Sequence, residues 1–258
     1  MKHVFGLLMF SLLLFSCGKS PVMGTSDEGE IVGKYKTLVA VDNFLYAVNH
    51  TQLITFDMTD KENPVEVDKK DVGMDIENLY HVDRALFIGS QTNLHIYQIS
   101  ENGIPTKKSD TPYIRFGDEI TTCDPVIADQ DIAYVTLSSD FWNRINGCPT
   151  LVTINELRAY DVTDLENPKL KGVYQLNNPM GLSIDGDYLF VSDGDAGVAI
   201  FEVDHDGYAT LINTIPGFPT YDLSAENNKL LLVSEEEIRQ YDYSDINDIK
   251  LYSTLSLR

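Results

Sequence analysis

The chain has 258 residues and a formal net charge of −21 at pH 7, from 40 acidic and 19 basic side chains. A surface this acidic repels nucleic acid and anionic lipid headgroups, so the composition argues against nucleic-acid binding. It could attract cations or a basic partner, and it also keeps the protein soluble. Residues 31–258 are enough for one sizeable domain.

The first sixteen residues have the pattern of an export signal. Lys2 and His3 precede an apolar run from Val4 to Phe15, which is too short to cross a bilayer as a helix. The run ends at Leu14-Phe15-Ser16-Cys17, which resembles the lipobox of bacterial lipoproteins. This resemblance implies cleavage before Cys17 and acylation of Cys17, whereas an ordinary secretory signal is the alternative. Residues 17–30, rich in Gly, Ser, Pro and acids, are predicted to be a flexible tether.

Five later stretches repeat one pattern of apolar and aromatic residues. Their equivalent positions 57, 98, 161, 202 and 242 are 41, 63, 41 and 40 residues apart. A period near 40 indicates an array of small repeated sheets. The five stretches are Leu53–Thr59, Leu94–Ser100, Leu157–Thr163, Val198–Asp204 and Ile238–Ser244.

Each unit contains four short apolar runs separated by turn residues. In the fourth unit Asp185-Gly186-Asp187 separates the first two runs, and an Asp-Gly pair predicts a tight hairpin. Short strands without helical periodicity after residue 16 predict an all-β fold, and four strands per unit form one blade. We therefore predict a five-bladed β-propeller of four-stranded antiparallel blades within residues 31–258. The predicted blades are about 37–73, 75–113, 124–176, 179–217 and 220–257.

The way in which the ring closes stays open. Ile31–Lys36 is similar to the last strand of unit three, Leu170–Gln175. This segment could take the place of the fourth strand of the last blade, or it could add a fifth strand to that blade.

Units one and three share the loop Asp-x-Thr-Asp-x-x-Asn-Pro, at Asp57–Pro64 and Asp161–Pro168. One interpretation is a metal-binding loop. We favour turn chemistry, because Asp and Thr side chains bond nearby backbone N–H groups and Pro sets φ at a strand start.

This repeat, together with Cys123–Asp129 and Pro179–Gly186, resembles the LVIVD-repeat family of bacterial exported proteins. The resemblance covers most of residues 31–258. It implies a β-propeller on a lipid-anchored protein of the cell envelope, at the outer membrane, on its periplasmic side or at the cell surface. It implies no catalytic residues.

Unit three carries an insertion, Ser138–Asn155, between its second and third strands. Propeller geometry places Cys123 on the same face as Cys148 of the insertion. In an exported protein these two cysteines are expected to form a disulfide, which would stabilise the fold by ~3 kcal/mol. Two free thiols are the alternative.

Candidate binding residues lie on this same face. Phe141, Trp142 and Arg144 of the insertion could stack on a sugar or anchor a partner, or they could cover the insertion's own small core. Asp193 and Asp195 could offer oxygen atoms to Ca²⁺, although turn chemistry and solubility also explain them. The acidic residues expected on this face are Asp75, Asp118, Glu119, Asp124, Asp193, Asp195 and Asp222.

Motifs of catalysis are missing from the sequence. The chain contains no H-E-x-x-H, G-x-S-x-G, P-loop or G-x-G-x-x-G pattern, and each His is interpreted as a blade or loop residue. We therefore expect a non-catalytic binding or scaffold module without a cofactor, whose partner is a protein or glycan of the cell envelope. The alternative is a carbohydrate-active enzyme that uses paired acids.

Overall fold

The computed structural model describes residues 35–74, 76–113, 125–138 and 154–257, and within these ranges every regular element is a β-strand. The strands form five antiparallel sheets of four strands each. This confirms the predicted five-bladed β-propeller.

The blades follow one another along the chain, each with its strands in sequence order from the first strand outward. Blade 1 consists of β1 (Thr37–Val41), β2 (Phe44–Val48), β3 (Gln52–Asp57) and β4 (Val65–Asp71). Blade 2 consists of β5 (Ile76–Val82), β6 (Ala85–Ser90), β7 (Asn93–Ile99) and β8 (Pro105–Pro112). Blade 3 consists of β9 (Val126–Asp129), β10 (Ile132–Ser138), β11 (Asn155–Asp161) and β12 (Lys169–Gln175). Blade 4 consists of β13 (Leu182–Asp185), β14 (Tyr188–Ser192), β15 (Val198–Val203) and β16 (Ala209–Ile215). Blade 5 consists of β17 (Asp222–Glu226), β18 (Lys229–Val233), β19 (Glu237–Asp242) and β20 (Lys250–Ser256).

The second and third strands of a blade are apolar at successive positions because both of their faces are covered. In β14, Leu189 and Val191 pack toward blade 3, whereas Phe190 between them packs toward blade 5. Side chains of a strand alternate between the two faces of its sheet, so a strand buried on both sides needs apolar residues throughout.

Four apolar clusters hold neighbouring blades together. They join blades 1 and 2, 2 and 3, 3 and 4, and 4 and 5. Stacking of sheets therefore buries faces that no blade could cover alone.

The tight hairpin predicted in unit four is confirmed. Asp185 pairs with Tyr188 across a two-residue turn, and Gly186 adopts a φ of +59°. This left-handed conformation suits glycine, which has no Cβ to clash.

The aromatic residue of each sequence repeat marks a β-bulge. The register between the third and fourth strands shifts immediately before this residue in all five blades. A bulge bends the strand and increases its twist, which helps each blade to fit its neighbours. The aromatic residues are Phe56, Tyr97, Tyr160, Phe201 and Tyr241.

The Asp-x-Thr-Asp loops make turns, as predicted. Asp57 accepts the N–H of Thr59 at 2.8 Å, and Asp161 accepts that of Thr163 at 3.1 Å. Hydrogen bonds from the side chains of Thr59 and Thr163, and then from their backbone N–H groups, lower the pKa of the two carboxyl groups. The carboxylates are thus used to shape the chain between the third and fourth strands.

Blade 5 obtains its fourth strand, β20, from the carboxyl-terminal part of the chain. The alternative in which the segment beginning at Ile31 takes that place is therefore wrong, because the position is filled. A fifth strand would come from residues 31–34, which lie outside the described residues. Lys36 donates its N–H to Val48 at 2.7 Å and so extends β1 in blade 1.

Candidate functional site

Two kinds of loop lie on one face of the propeller, which we call the loop face. They are the loops that enter each first strand and the loops that join second to third strands. The described residues of the loop face are 35–36, 49–51, 72–74, 91–92, 113, 125, 154, 176–181, 193–197, 216–221 and 234–236.

Several residues predicted for this face lie outside the described residues. They include the insertion residues Phe141, Trp142 and Arg144 and the predicted disulfide partners Cys123 and Cys148. Cys17, the predicted lipidation site, is also outside the described residues. Four of the acidic residues predicted for this face are also outside the described residues, namely Asp75, Asp118, Glu119 and Asp124.

Asp193 is a structural residue of the loop face. Its side chain is buried, with 4% exposed, and its Oδ1 accepts the backbone N–H of Asn177 at 2.8 Å and of Asn178 at 2.7 Å. Its Oδ2 accepts the side-chain amide of Asn177 at 2.7 Å. One carboxylate therefore fastens the loop that leaves blade 3 to the loop inside blade 4.

Asp195 lies two residues further along and is exposed. Within residues 35–74, 76–113, 125–138 and 154–257, no group of three or more His, Cys, Asp or Glu side chains is arranged to hold a metal ion. The oxygen atoms of Asp193 accept two backbone N–H groups and the side-chain amide of Asn177, and these donors occupy directions that a cation would need.

Asp222 adjoins the loop face, and its carboxyl group has an altered pKa. It begins β17, and its Oδ1 accepts the N–H of Leu223 at 2.8 Å. Burial raises its pKa to about 6, because desolvation disfavours the charged form. A Cβ on Gly181 of the preceding loop would lie 2.5 Å from this Oδ1. The glycine thus allows blades 4 and 5 to approach closely.

Exposed apolar side chains also lie on the loop face. Met74 is 78% exposed and Tyr221 is 41% exposed, and each belongs to a loop that enters a first strand. Near Tyr221, the Arg239 guanidinium stacks over the Phe218 ring at 4.1 Å. An exposed thioether adapts its shape to a partner, and an exposed aromatic ring offers a large apolar surface, so both are groups that a partner can cover.

A buried histidine, unremarkable in the sequence, lies in blade 2. Nε2 of His95 is 3.1 Å from the Ser90 hydroxyl, and its Nδ1 bonds to the Asp110 carboxylate, which Lys107 also contacts. Burial lowers the pKa of His95, although Asp110 acts in the opposite direction. The interpretation of this histidine as a blade residue is confirmed.

This Ser-His-Asp order resembles the relay of hydrolases, but its surroundings indicate a structural role. Ser90 is only 1% exposed, and its Oγ also contacts the backbone N and O of Asn93, both at 3.1 Å. A nucleophile must reach its substrate, whereas this hydroxyl holds the turn between β6 and β7.

Two adjoining cavities lie on the opposite face, which carries the hairpins between first and second strands. Their volumes are about 330 and about 340 Å³, and Asp187 lines both. Asp129 and Asp185 line one, whereas Glu202, Asp204 and His205 line the other. The candidate site predicted from the sequence lies on the loop face, and no motif in the sequence pointed to these acidic depressions on the opposite face.

Within the described part of the chain, no helix has the length and apolar character needed to cross a membrane.

No family model matches the sequence, and no curated protein matches it. Several solved structures have a similar fold, although their sequences share little identity with this chain. The periplasmic gluconolactonase PpgL of Pseudomonas aeruginosa has a TM-score of 0.65 and 12% identity, over 86% of this chain and 70% of that one. A structure of the nidogen/laminin complex has a TM-score of 0.54 and 15% identity, over 87% and 81% of the two chains.

BamB from Moraxella catarrhalis has a TM-score of 0.53 and 15% identity, over 76% of this chain. The chain spans 53% of the length of that BamB. At these identities the likeness is one of fold, and it carries no activity from one protein to another. The structure and its comparisons thus place this chain among β-propeller folds.

Proposed function

We propose that this chain is a lipid-anchored, exported binding or scaffold propeller of the LVIVD-repeat type, which meets a protein or glycan of the cell envelope through its loop face. The observation that carries the proposal is that buried and exposed side chains of the loop face have different roles. The buried carboxylate Asp193 is used to fasten loops, whereas Met74 and Tyr221 are exposed to solvent. Exposed aromatic and thioether groups favour association with a partner.

The similar structures support the location and the mode of action. One of them is a periplasmic enzyme, and another is captured in a complex of two proteins. These agree with an envelope protein that acts through an interface. A non-catalytic role agrees with the position of Ser90, whose hydroxyl is buried and holds a turn beside His95.

The test is a comparison of partner recovery from the native envelope. Wild type and a Met74→Ser/Tyr221→Ser variant would serve as bait, with a Leu251→Ser/Tyr252→Ser variant as matched control. Leu251 and Tyr252 are also exposed but lie on β20, at the perimeter of the ring. We expect the loop-face variant to recover at least about tenfold less partner at an unchanged Tm, since a central aromatic contact contributes about 1.4 kcal/mol or more.

Equal recovery by all three proteins would contradict the placement of the interface. Recovery lost only with the perimeter variant would move the interface to β20. A Trp142→Ala variant tests the predicted contribution of the insertion in the same way. Turnover of a lactone or glycoside by the purified protein would refute a purely binding role.

A further inference from the structure

Met74 lies on the loop face between two fixed points of the backbone. Val72 is 7% exposed and Ile76 is fully buried, and both side chains belong to the cluster that joins blades 1 and 2. The N–H of Val72 donates to the carbonyl of Thr51 at 2.9 Å, and that of Ile76 donates to the carbonyl of His50 at 3.0 Å. The chain is therefore held on both sides of Met74, and it presents a side chain that is 78% exposed.

A second methionine stands at the equivalent position of blade 4 but is buried. Met74 comes two residues before β5, and Met180 comes two residues before β13. Met180 is only 8% exposed. Its N–H donates to Ser192 of blade 4 at 2.9 Å, and its carbonyl accepts the hydroxyl of Thr136 of blade 3 at 2.6 Å. The same position of the repeat thus gives one thioether in solvent and one enclosed between two blades.

Exposure of the sulfur atom decides whether an oxidant can reach it. In the reaction with hydrogen peroxide, the O–O bond breaks, an S–O bond forms and water leaves. The sulfur atom loses two electrons, and the peroxide gains them. The product, methionine sulfoxide, is a polar side chain, and reductases return it to methionine. A partner that covers an apolar thioether would have to desolvate this polar group instead.

We propose that Met74 is a site of reversible oxidation by peroxides, and that its sulfoxide weakens the association of the loop face with its partner. The site of oxidation follows from exposure alone. The effect on the partner rests on the proposed function, in which Met74 and Tyr221 are the exposed apolar groups of the loop face. Oxidation would replace one of these two groups by a polar one without a change of fold.

The site is tested by the order in which the methionines react. The purified protein is treated with hydrogen peroxide and digested at successive times, and the peptides that contain Met58, Met74 and Met180 are quantified by mass spectrometry. Met58, at the end of β3 and half-buried, is the comparison on the opposite face. We expect Met74 to react at least about tenfold faster than Met180, with Met58 between them, because reaction follows access to sulfur. A Met180 that reacts as fast as Met74 would overturn the assignment.

The effect on the partner is measured with the protein as bait in the native envelope, before and after treatment with peroxide that is then removed. We expect recovery by wild type to fall about threefold or more, at an unchanged Tm. Met74→Leu has no sulfur atom at this position, so its recovery after treatment should equal its own recovery before treatment. Met58→Leu, the matched control, should respond to peroxide as wild type does.

Two results of the bait experiment would overturn the effect on the partner. An equal fall in Met74→Leu and wild type would assign the sensitivity to another group. Unchanged recovery by wild type in which Met74 is fully oxidised would show that the sulfoxide does not disturb the interface.

The oxidation site and the proposed function fail separately. The order of oxidation is measured on the protein alone and does not depend on a partner. Equal recovery by untreated wild type and by the Met74→Ser/Tyr221→Ser variant would refute the interface on the loop face, and with it the effect of oxidation on the partner. The mass-spectrometric order would still decide whether Met74 is the oxidised residue.

Discussion

Asp193 accepts the backbone N–H of Asn178 at 2.7 Å, and this bond joins the loop leaving blade 3 to blade 4. The same carboxylate accepts two more hydrogen bonds from Asn177. We expect Asp193→Ala to lower the free energy of unfolding by about 2–4 kcal/mol, because buried N–H groups lose a charged acceptor. Urea unfolding measures this change.

Asp195→Ala is the matched control for this prediction, because Asp195 is exposed in the same loop. Its effect should stay within about 0.5 kcal/mol. Addition of Ca²⁺ or of a chelator should leave Tm unchanged in wild type. A rise in Tm with Ca²⁺ that Asp193→Ala abolishes would show instead that the loop is a cation site.

We predict that replacement of Asp222 by an uncharged residue stabilises the folded protein. Its pKa in the folded protein is raised to about 6, so the folded state favours the protonated carboxyl. The contribution of Asp222 to the free energy of unfolding is therefore fully present below about pH 4, the pKa of the unfolded chain. This contribution is lost as the pH rises through about 6. We expect Asp222→Asn to stabilise the protein by about 1–3 kcal/mol at pH 8 and by little at pH 4. Unfolding at the two pH values measures this difference, and an equal effect at both would contradict it.

We predict that His95 makes the contact between blade 2 and the loop leaving blade 1 sensitive to acid, because a Cβ on Gly73 of that loop would lie 3.4 Å from the His95 ring. Burial lowers its pKa, so the folded state favours the neutral ring. The contribution of the neutral His95 ring to the free energy of unfolding is fully present above about pH 6.5, the pKa of the unfolded chain. This contribution is lost as the pH falls from there through the lower pKa of the folded protein. Asp110 and Lys107 face the ring, and they raise and lower this pKa respectively.

We therefore expect Asp110→Asn to lower the pKa of His95 further, as followed by NMR titration of the ring. His95→Gln should flatten the pH dependence of Tm between about pH 5 and 7. A profile that His95→Gln leaves unaltered would assign the acid sensitivity to other groups.

We predict that an alanine at Gly103 destabilises the protein more than an alanine at Gly186. Both Gly103 and Gly186 adopt a positive φ, but a Cβ on Gly103 would lie 2.3 Å from the Phe44 ring, and one on Gly186 meets nothing within 4 Å. The Gly103 carbonyl also accepts the Tyr46 hydroxyl at 2.8 Å, so this turn docks blade 2 on blade 1. We expect Gly103→Ala to cost about 2–4 kcal/mol and Gly186→Ala only about 1 kcal/mol. Equal losses in urea unfolding would show that backbone strain alone matters.

Cys123 and Cys148 lie outside the described residues, and their disulfide stays a prediction. Mass spectrometry of the unreduced, alkylated protein checks it. We expect no alkylation of either thiol and a mass two hydrogens lower than that of the reduced chain. Reduction should then lower stability by about 3 kcal/mol. Two alkylated thiols in the native protein would exclude the bond.

The local features of the blades could be predicted because their causes are local. The Asp185-Gly186-Asp187 hairpin depends on one glycine, and the turns at Asp57 and Asp161 depend on bonds to residues two positions away. The fold followed from repetition, since five similar units must bury similar faces. The role of Asp193 could not be predicted in the same way. Asn177 is sixteen residues away and belongs to another loop.

The sequence by itself determined the five blades, their strand order and the chemistry of their turns, because these depend on residue type and on spacing within about 40 positions. Only the tertiary structure decided which polar groups are buried. His95 meets Asp110 because β7 pairs with β8, and Asp222 loses its hydration because blades 4 and 5 meet at Gly181. Burial and acidity are properties of the contacts between blades, and a repeat pattern does not encode those contacts residue by residue.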